Sequence, residues 1–200
     1  MTQTVTGLFD NYEDARTAVQ DLETAGIPHE DVSIVANNAH GDHVDGSKAG
    51  EDAGKGAGIG AAVGGVGGLL AGLGLMAIPG LGPVVAAGWL ASTVVGAVGG
   101  GLVGGAAGGI VGALTKDGVP EEDAHVYAEG VRRGGTLVTA KVDEDSALTA
   151  RSILAGQRPV DILARRTSYM EQGWTRFDDS APAYTPEQIA AERARYSQLS

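Results

Sequence analysis

Apolar and polar positions alternate with two different periods in the outer thirds of the chain and lose their alternation in the middle. Residues 4–9 read as a short strand, and Asn11 is placed to cap a helix whose apolar positions, Tyr12, Ala15, Ala18, Val19 and Leu22, fall on one face. Gly26 ends that helix, and residues 31–36, with the run Val32, Ile34 and Val35, read as a second, mostly buried strand. Together they make a βαβ unit. Residues 37–54 are polar and rich in glycine, as a loop would be. Far downstream, Pro120 opens a helix with Ala124, Tyr127, Ala128 and Val131 on one face, closed by Gly134 and Gly135. Residues 136–142 follow as a strand, Asp143 caps a helix to about residue 155, and residues 160–164 read as a last short strand. Two strands before the middle and two after it are incomplete separately, so the expected fold class is α+β. One four-stranded sheet with its helices is built discontinuously from residues 1–55 and 116–166.

The middle is charge-free. Between Lys55 and Lys116 lie 60 residues without Asp, Glu, Lys or Arg, holding 21 of the 33 glycines, with Ala, Val, Leu and Ile as most of the rest. The cluster Pro79-Gly-Leu-Gly-Pro83 interrupts any helix there. The pattern predicts a hairpin of two hydrophobic helices over 56–115. The first, residues 56–78, would be about 34 Å long and the second, residues 84–114, about 46 Å; both exceed a hydrocarbon core of about 30 Å. Gly56, Gly60, Gly64, Gly68 and Gly72 recur every four residues, and so do Gly88, Ser92, Gly96, Gly100, Gly104, Gly108 and Gly112. On helices these rows form a glycine zipper, a helix-packing face on which two backbones approach closely. A second row, Gly101, Gly105 and Gly109, widens the smooth surface. A flexible linker is the poorer reading, because linkers are polar and this segment is studded with Val, Leu, Ile and Met.

Charge and composition narrow the partners. Fourteen basic residues against 25 acidic ones give a net charge of -11, which argues against nucleic acid. The absence of cysteine excludes disulfides, thiolate metal sites and Cys nucleophiles. The opening residues have neither the basic start nor the apolar stretch of a secretory signal, which leads to the expectation of a cytosolic module.

The residues also resemble a known family. Val5-Thr-Gly-Leu-Phe9 with its helix, the Gly-rich centre, and Gly118-Val-Pro-Glu-Glu-Asp-Ala-His-Val-Tyr-Ala-Glu-Gly-Val-Arg-Arg-Gly-Gly-Thr-Leu-Val138 resemble the bacterial general stress protein 17M type over residues 3–165. The resemblance implies a stress-associated protein with no catalytic residues and no cofactor to carry over.

From Tyr169 the chain departs from that pattern. Residues 167–200 hold five of the nine aromatics, Tyr169, Trp174, Phe177, Tyr184 and Tyr196, and a capping box at Thr185 and Gln188 starts a short helix. Such a tail is expected to dock on its own domain or a neighbour, with an exposed short helix as the equal alternative. Candidate chemistry is sparse. His40, Asp42, His43 and Asp45 are ligand types for a divalent metal, but on a Gly-rich loop a solvated turn is the better reading. Gly56, Gly58 and Ala61 match the spacing of a dinucleotide fingerprint without the strand that must precede it.

The expected function is therefore non-enzymatic: a homo-oligomer whose zipper hairpin inserts into the cytoplasmic membrane, with the α/β module in the cytosol and membrane lipid as a further partner. Two alternatives stand beside it. One is a cytoplasmic homo-oligomeric scaffold with the hairpins buried in the assembly; the other is a ligand-sensing α/β module.

Overall fold

The strand from the C-terminal third, not one from the N-terminal third, holds the sheet together. The computed structural model describes residues 2–41, 68–71, 73–99 and 109–196. In chain order their elements are β1 (Gln3–Phe9), α1 (Tyr12–Thr24), β2 (Val32–Asn37), α2 (Gly68–Ala71), β3 (Gly74–Ile78), β4 (Gly82–Gly88), α3 (Trp89–Gly99) and α4 (Gly109–Lys116). There follow α5 (Glu121–Arg132), β5 (Thr136–Val142), α6 (Glu144–Gly156), α7 (Ile162–Glu171) and α8 (Pro186–Tyr196). The sheet order is β1-β5-β2-β4-β3, with every neighbouring pair antiparallel. In register, Val138 stands between Gly7 of β1 and Ile34 of β2. β1 and β2 are thus parallel but not adjacent, and the βαβ unit is split by a strand about 100 residues away in the chain.

Period-two alternation divides the sheet between two helical layers. Val5, Phe9, Ile34, Val138 and Ala140 pack with Ala15, Ala18, Val19 and Leu22 of α1 and Ala147, Ala150 and Leu154 of α6. Leu8, Val35, Leu137, Val84 and Ala86 face the other way and meet Leu90 and Val94 of α3, Ile110 and Leu114 of α4, and Ala124 and Val131 of α5. The caps read from sequence are in place. The Asn11 side chain accepts from the Glu13 amide at 2.8 Å, Asp143 accepts from the Ser146 amide at 2.8 Å, and the Thr185 and Gln188 side chains exchange bonds with each other's amides.

The structure departs from the sequence reading in two places. The first is the expected helical hairpin. Pro79 and Gly80 turn one strand into another, with the Leu81 amide donating to the Ile78 carbonyl at 3.0 Å, so residues 74–88 are β3 and β4 and complete a five-stranded sheet. Gly80, Gly82 and Gly88 adopt φ of 75°, 83° and 86°, which a right-handed helix cannot contain. The physical reason is burial on both faces. Val84, Val85, Ala86 and Ala87 are all buried beside the β2 strand, and a strand covered on both sides shows no alternation to distinguish it from a helix. Among the described residues, no helix is long and apolar enough to cross a membrane; α3, at 11 residues, is about 16 Å long.

The second departure is at residues 160–164. Only the Val160 amide reaches the sheet, donating to the Leu8 carbonyl at 2.7 Å. Asp161 then caps α7, its Oδ1 accepting from the Leu163 and Ala164 amides at 2.9 and 3.0 Å, and the chain leaves as a helix.

Candidate functional site

The described members of the glycine rows are spread over four elements. Gly68 lies in α2, Gly88 ends β4, Ser92 and Gly96 lie in α3, and Gly112 lies in α4. Ser92 is exposed and turns its hydroxyl back to the Gly88 carbonyl at 3.3 Å. Gly56, Gly60, Gly64, Gly72, Gly100, Gly104 and Gly108 lie outside the described residues. His40 sits on the turn after β2, whereas Asp42, His43 and Asp45 lie outside the described residues. Among the described residues no three potential metal ligands cluster.

The structure builds a different site where the end of β1, the α6–α7 connection and α8 meet. It is a cavity of about 460 Å³ lined by the buried Arg165 and Tyr196 and by the exposed Asp10, Arg158 and Asp161. Arg165 projects inward from α7 and is only 9% exposed. Its Nη1 and Nη2 donate to the two carboxylate oxygens of Asp10 at 2.9 and 2.6 Å, a bidentate pair, and its guanidinium stacks 3.6 Å over the Tyr196 ring. Burial by itself would lower the Arg165 pKa; the hydrogen bonds and charge of Asp10, with the Tyr169 phenol beside it, outweigh it and raise the pKa above its ordinary value. This guanidinium is permanently charged and already partnered.

Arg158 at the mouth is the unusual residue. Its φ of 53° makes it the only non-glycine residue with positive φ among the described residues. For an L-residue this conformation costs about 1–2 kcal/mol. Three tethers hold it: the Val160 amide on Leu8, the Gln157 Nε2 donating to Asp21 at 2.9 Å, and the Arg158 Nη2 donating to Asp14 at 2.7 Å. The Arg158 side chain is 80% exposed, so its ion pair contributes at most about 1 kcal/mol and does not by itself offset the backbone cost. The cavity wall includes Ser168, whose Oγ accepts from Gln172 Nε2 at 3.3 Å; none of the residues lining the cavity is a histidine placed to activate it. The arrangement suits binding rather than nucleophilic chemistry.

Behind the cavity, α8 is clasped by buried charge. Glu129, almost fully buried on α5, accepts from Arg133 Nε at 2.7 Å, and Arg133 Nη1 reaches Gln172 at 2.7 Å and Glu192 of α8 at 3.1 Å. Arg133 also stacks 4.1 Å over Tyr169, which packs edge-on against Trp174 and Tyr196. Burial pushes the Tyr169 phenol well above its ordinary pKa. At the end of α5, Gly134 with φ of 101° has no side chain where Ile189 sits, and its carbonyl accepts from Arg193 Nη2 at 3.0 Å. The tail that the aromatics marked in sequence is docked on its own domain through Tyr169, Phe177, Ile189 and Tyr196, all buried.

Glu129 and Arg133 stand four apart on one helix, a spacing visible in sequence. Asp10 and Arg165, 155 residues apart, gave no such signal.

Comparison with curated proteins and with solved structures finds no match. The family comparison does: residues 4–78, from β1 to the end of β3, match the model of the heat induced stress protein YflT domain, a domain of the general stress protein family.

Proposed function

We propose that this protein acts in the stress response as a non-catalytic scaffold, joining copies of itself through the edge of β3, which pairs with no further strand among the described residues. The observation that carries this reading is the character of that edge. Among the described residues β3, Gly-Leu-Met-Ala-Ile, ends the sheet without a charge, a proline or a bulge, devices that ordinarily protect an edge from pairing. Leu75 is 40% exposed and Ala77 is exposed beside it.

The orientation of the edge peptides follows from Pro83. The Asn38 amide donates to the Pro83 carbonyl at 2.9 Å, so Pro83 turns its backbone toward β2. Its partner across the ladder, Ala77, then turns its N–H and C=O away from β4, and Leu75 does the same two residues earlier. Two such edges brought together antiparallel are self-complementary about a two-fold axis. This reading is the assembly role expected from the charge-free segment, carried by a strand instead of a helical groove.

Light scattering on size-separated protein tests it. The wild type is expected at a multiple of the 20.1 kDa chain. Ala77→Pro removes the outward N–H while leaving the β3–β4 ladder intact, because edge positions whose N–H faces outward tolerate proline. It is expected to shift the species to single chains with unchanged unfolding temperature, and Leu75→Lys is expected to do the same. A wild type that runs as a single chain, or an Ala77→Pro variant of wild-type mass, overturns the reading.

A further inference from the structure

The cavity beside α7 is independent of the β3 edge, and its chemistry points to a ligand. Its inner pair is closed: both oxygens of Asp10 are occupied by Arg165, and the Arg165 ring contact covers Tyr196. The mouth is open. Arg158 uses only Nη2, on Asp14, so its Nε and Nη1 have no protein acceptor among the described residues. Asp161 uses only Oδ1, as the cap of α7, so its Oδ2 has no protein donor there. The two Arg and two Asp side chains that line the cavity sum to zero charge, which disfavours a simple anion or a simple cation. Between the two open groups the wall is apolar, formed by Pro159, Val160 and Ala164.

We infer that this cavity binds a small zwitterion of the amino-acid class, its carboxylate on the Arg158 guanidinium, its ammonium on Asp161 Oδ2, and an apolar side chain against Pro159, Val160 and Ala164. A guanidinium pairs well with a carboxylate. The volume exceeds that of one amino acid, and the space left over is available to water.

The test uses the full chain, isotope-labelled, titrated with L-leucine and with its two single-charge analogues, 4-methylpentanoate and 3-methylbutylamine, while amide shifts are followed by NMR. Leucine is expected to give saturable shifts confined to the β1 end and the α6–α7 connection, with each analogue binding at least tenfold more weakly. Two variants separate the ends of the ligand. Arg158→Gly relaxes the positive φ and removes the guanidinium, while Asp161→Ser keeps a competent helix cap and removes the carboxylate. Each is expected to weaken leucine at least tenfold. Arg158→Gly should leave the residual binding of the amine unchanged, and Asp161→Ser that of the carboxylate. Absence of a saturable shift with leucine, an analogue that matches leucine on the wild type, or a variant that matches the wild type for leucine overturns the inference. The analogue comparison needs no variant, so a substitution that fails to fold does not blunt it.

Discussion

Replacing Gly88 with alanine has opposite consequences in the two ways the charge-free segment could be built. Within a long helix the substitution would stabilise the chain by about 1 kcal/mol, because alanine is the better helix former. In the structure Gly88 ends β4 at φ 86°, and a Cβ there would run into the Val32 carbonyl oxygen and come within 2.8 Å of Ser33 Cα. Both obstacles belong to the backbone of β2, an interior strand whose six residues are all buried, so neither can swing aside. The left-handed conformation costs about 1–2 kcal/mol for a residue with a Cβ, and forcing an atom into a packed interior costs typically 1–3 kcal/mol. The sum is a loss of about 2–5 kcal/mol. Urea unfolding followed by circular dichroism reads it directly. With a slope of about 1–3 kcal/mol/M, the midpoint should fall by about 1 M or more at unchanged slope. Gly156→Ala is the control: the last residue of α6 has open space around its Cα, and that variant should be as stable as the wild type or slightly more so. A Gly88→Ala protein as stable as the wild type would refute the β3–β4 hairpin and return the segment to helix.

Two further outcomes follow from the polar framework. Glu129→Ala leaves the Arg133 guanidinium buried without its nearest carboxylate, which should cost about 3–5 kcal/mol and speed proteolytic cleavage in the 172–185 connection as α8 loosens; equal cleavage rates would show that the clasp does not hold the tail. Hydrogen bonds from Ser146 hold the Asp143 carboxyl below its ordinary pKa of 3.8, so its contribution is fully present above pH 3.8 and is lost as pH falls through the lower, folded value. Asp143→Asn keeps a capping side chain without the charge. Its unfolding temperature should lie below that of the wild type above pH 3.8 and converge with it in stronger acid, whereas a constant gap across that range would remove the charge from the account.

Local chemistry determined the flanking elements. Asn11, Asp143 and Thr185 cap the helices they precede because a short polar side chain meets unpaired amides within three residues, a relation written entirely in neighbouring positions. The strands at Gln3–Phe9, Val32–Asn37 and Thr136–Val142 were legible for the same reason: their turns and apolar runs are local. Tertiary structure decided what residues 82–88 of the charge-free segment became. A run with apolar or small residues on every side has no polar face to tell strand from helix, and the β2 edge, by offering ladder hydrogen bonds to Val84 through Gly88, made it a strand. The same holds for the cavity. Asp10 and Arg165, like Arg158 and Asp14, are ordinary surface residue types in sequence, and only the return of the α6–α7 connection across the end of β1 joins them. Charge pairs between residues more than a hundred positions apart leave no spacing to read, because their distance is set by the fold and not by the chain between them.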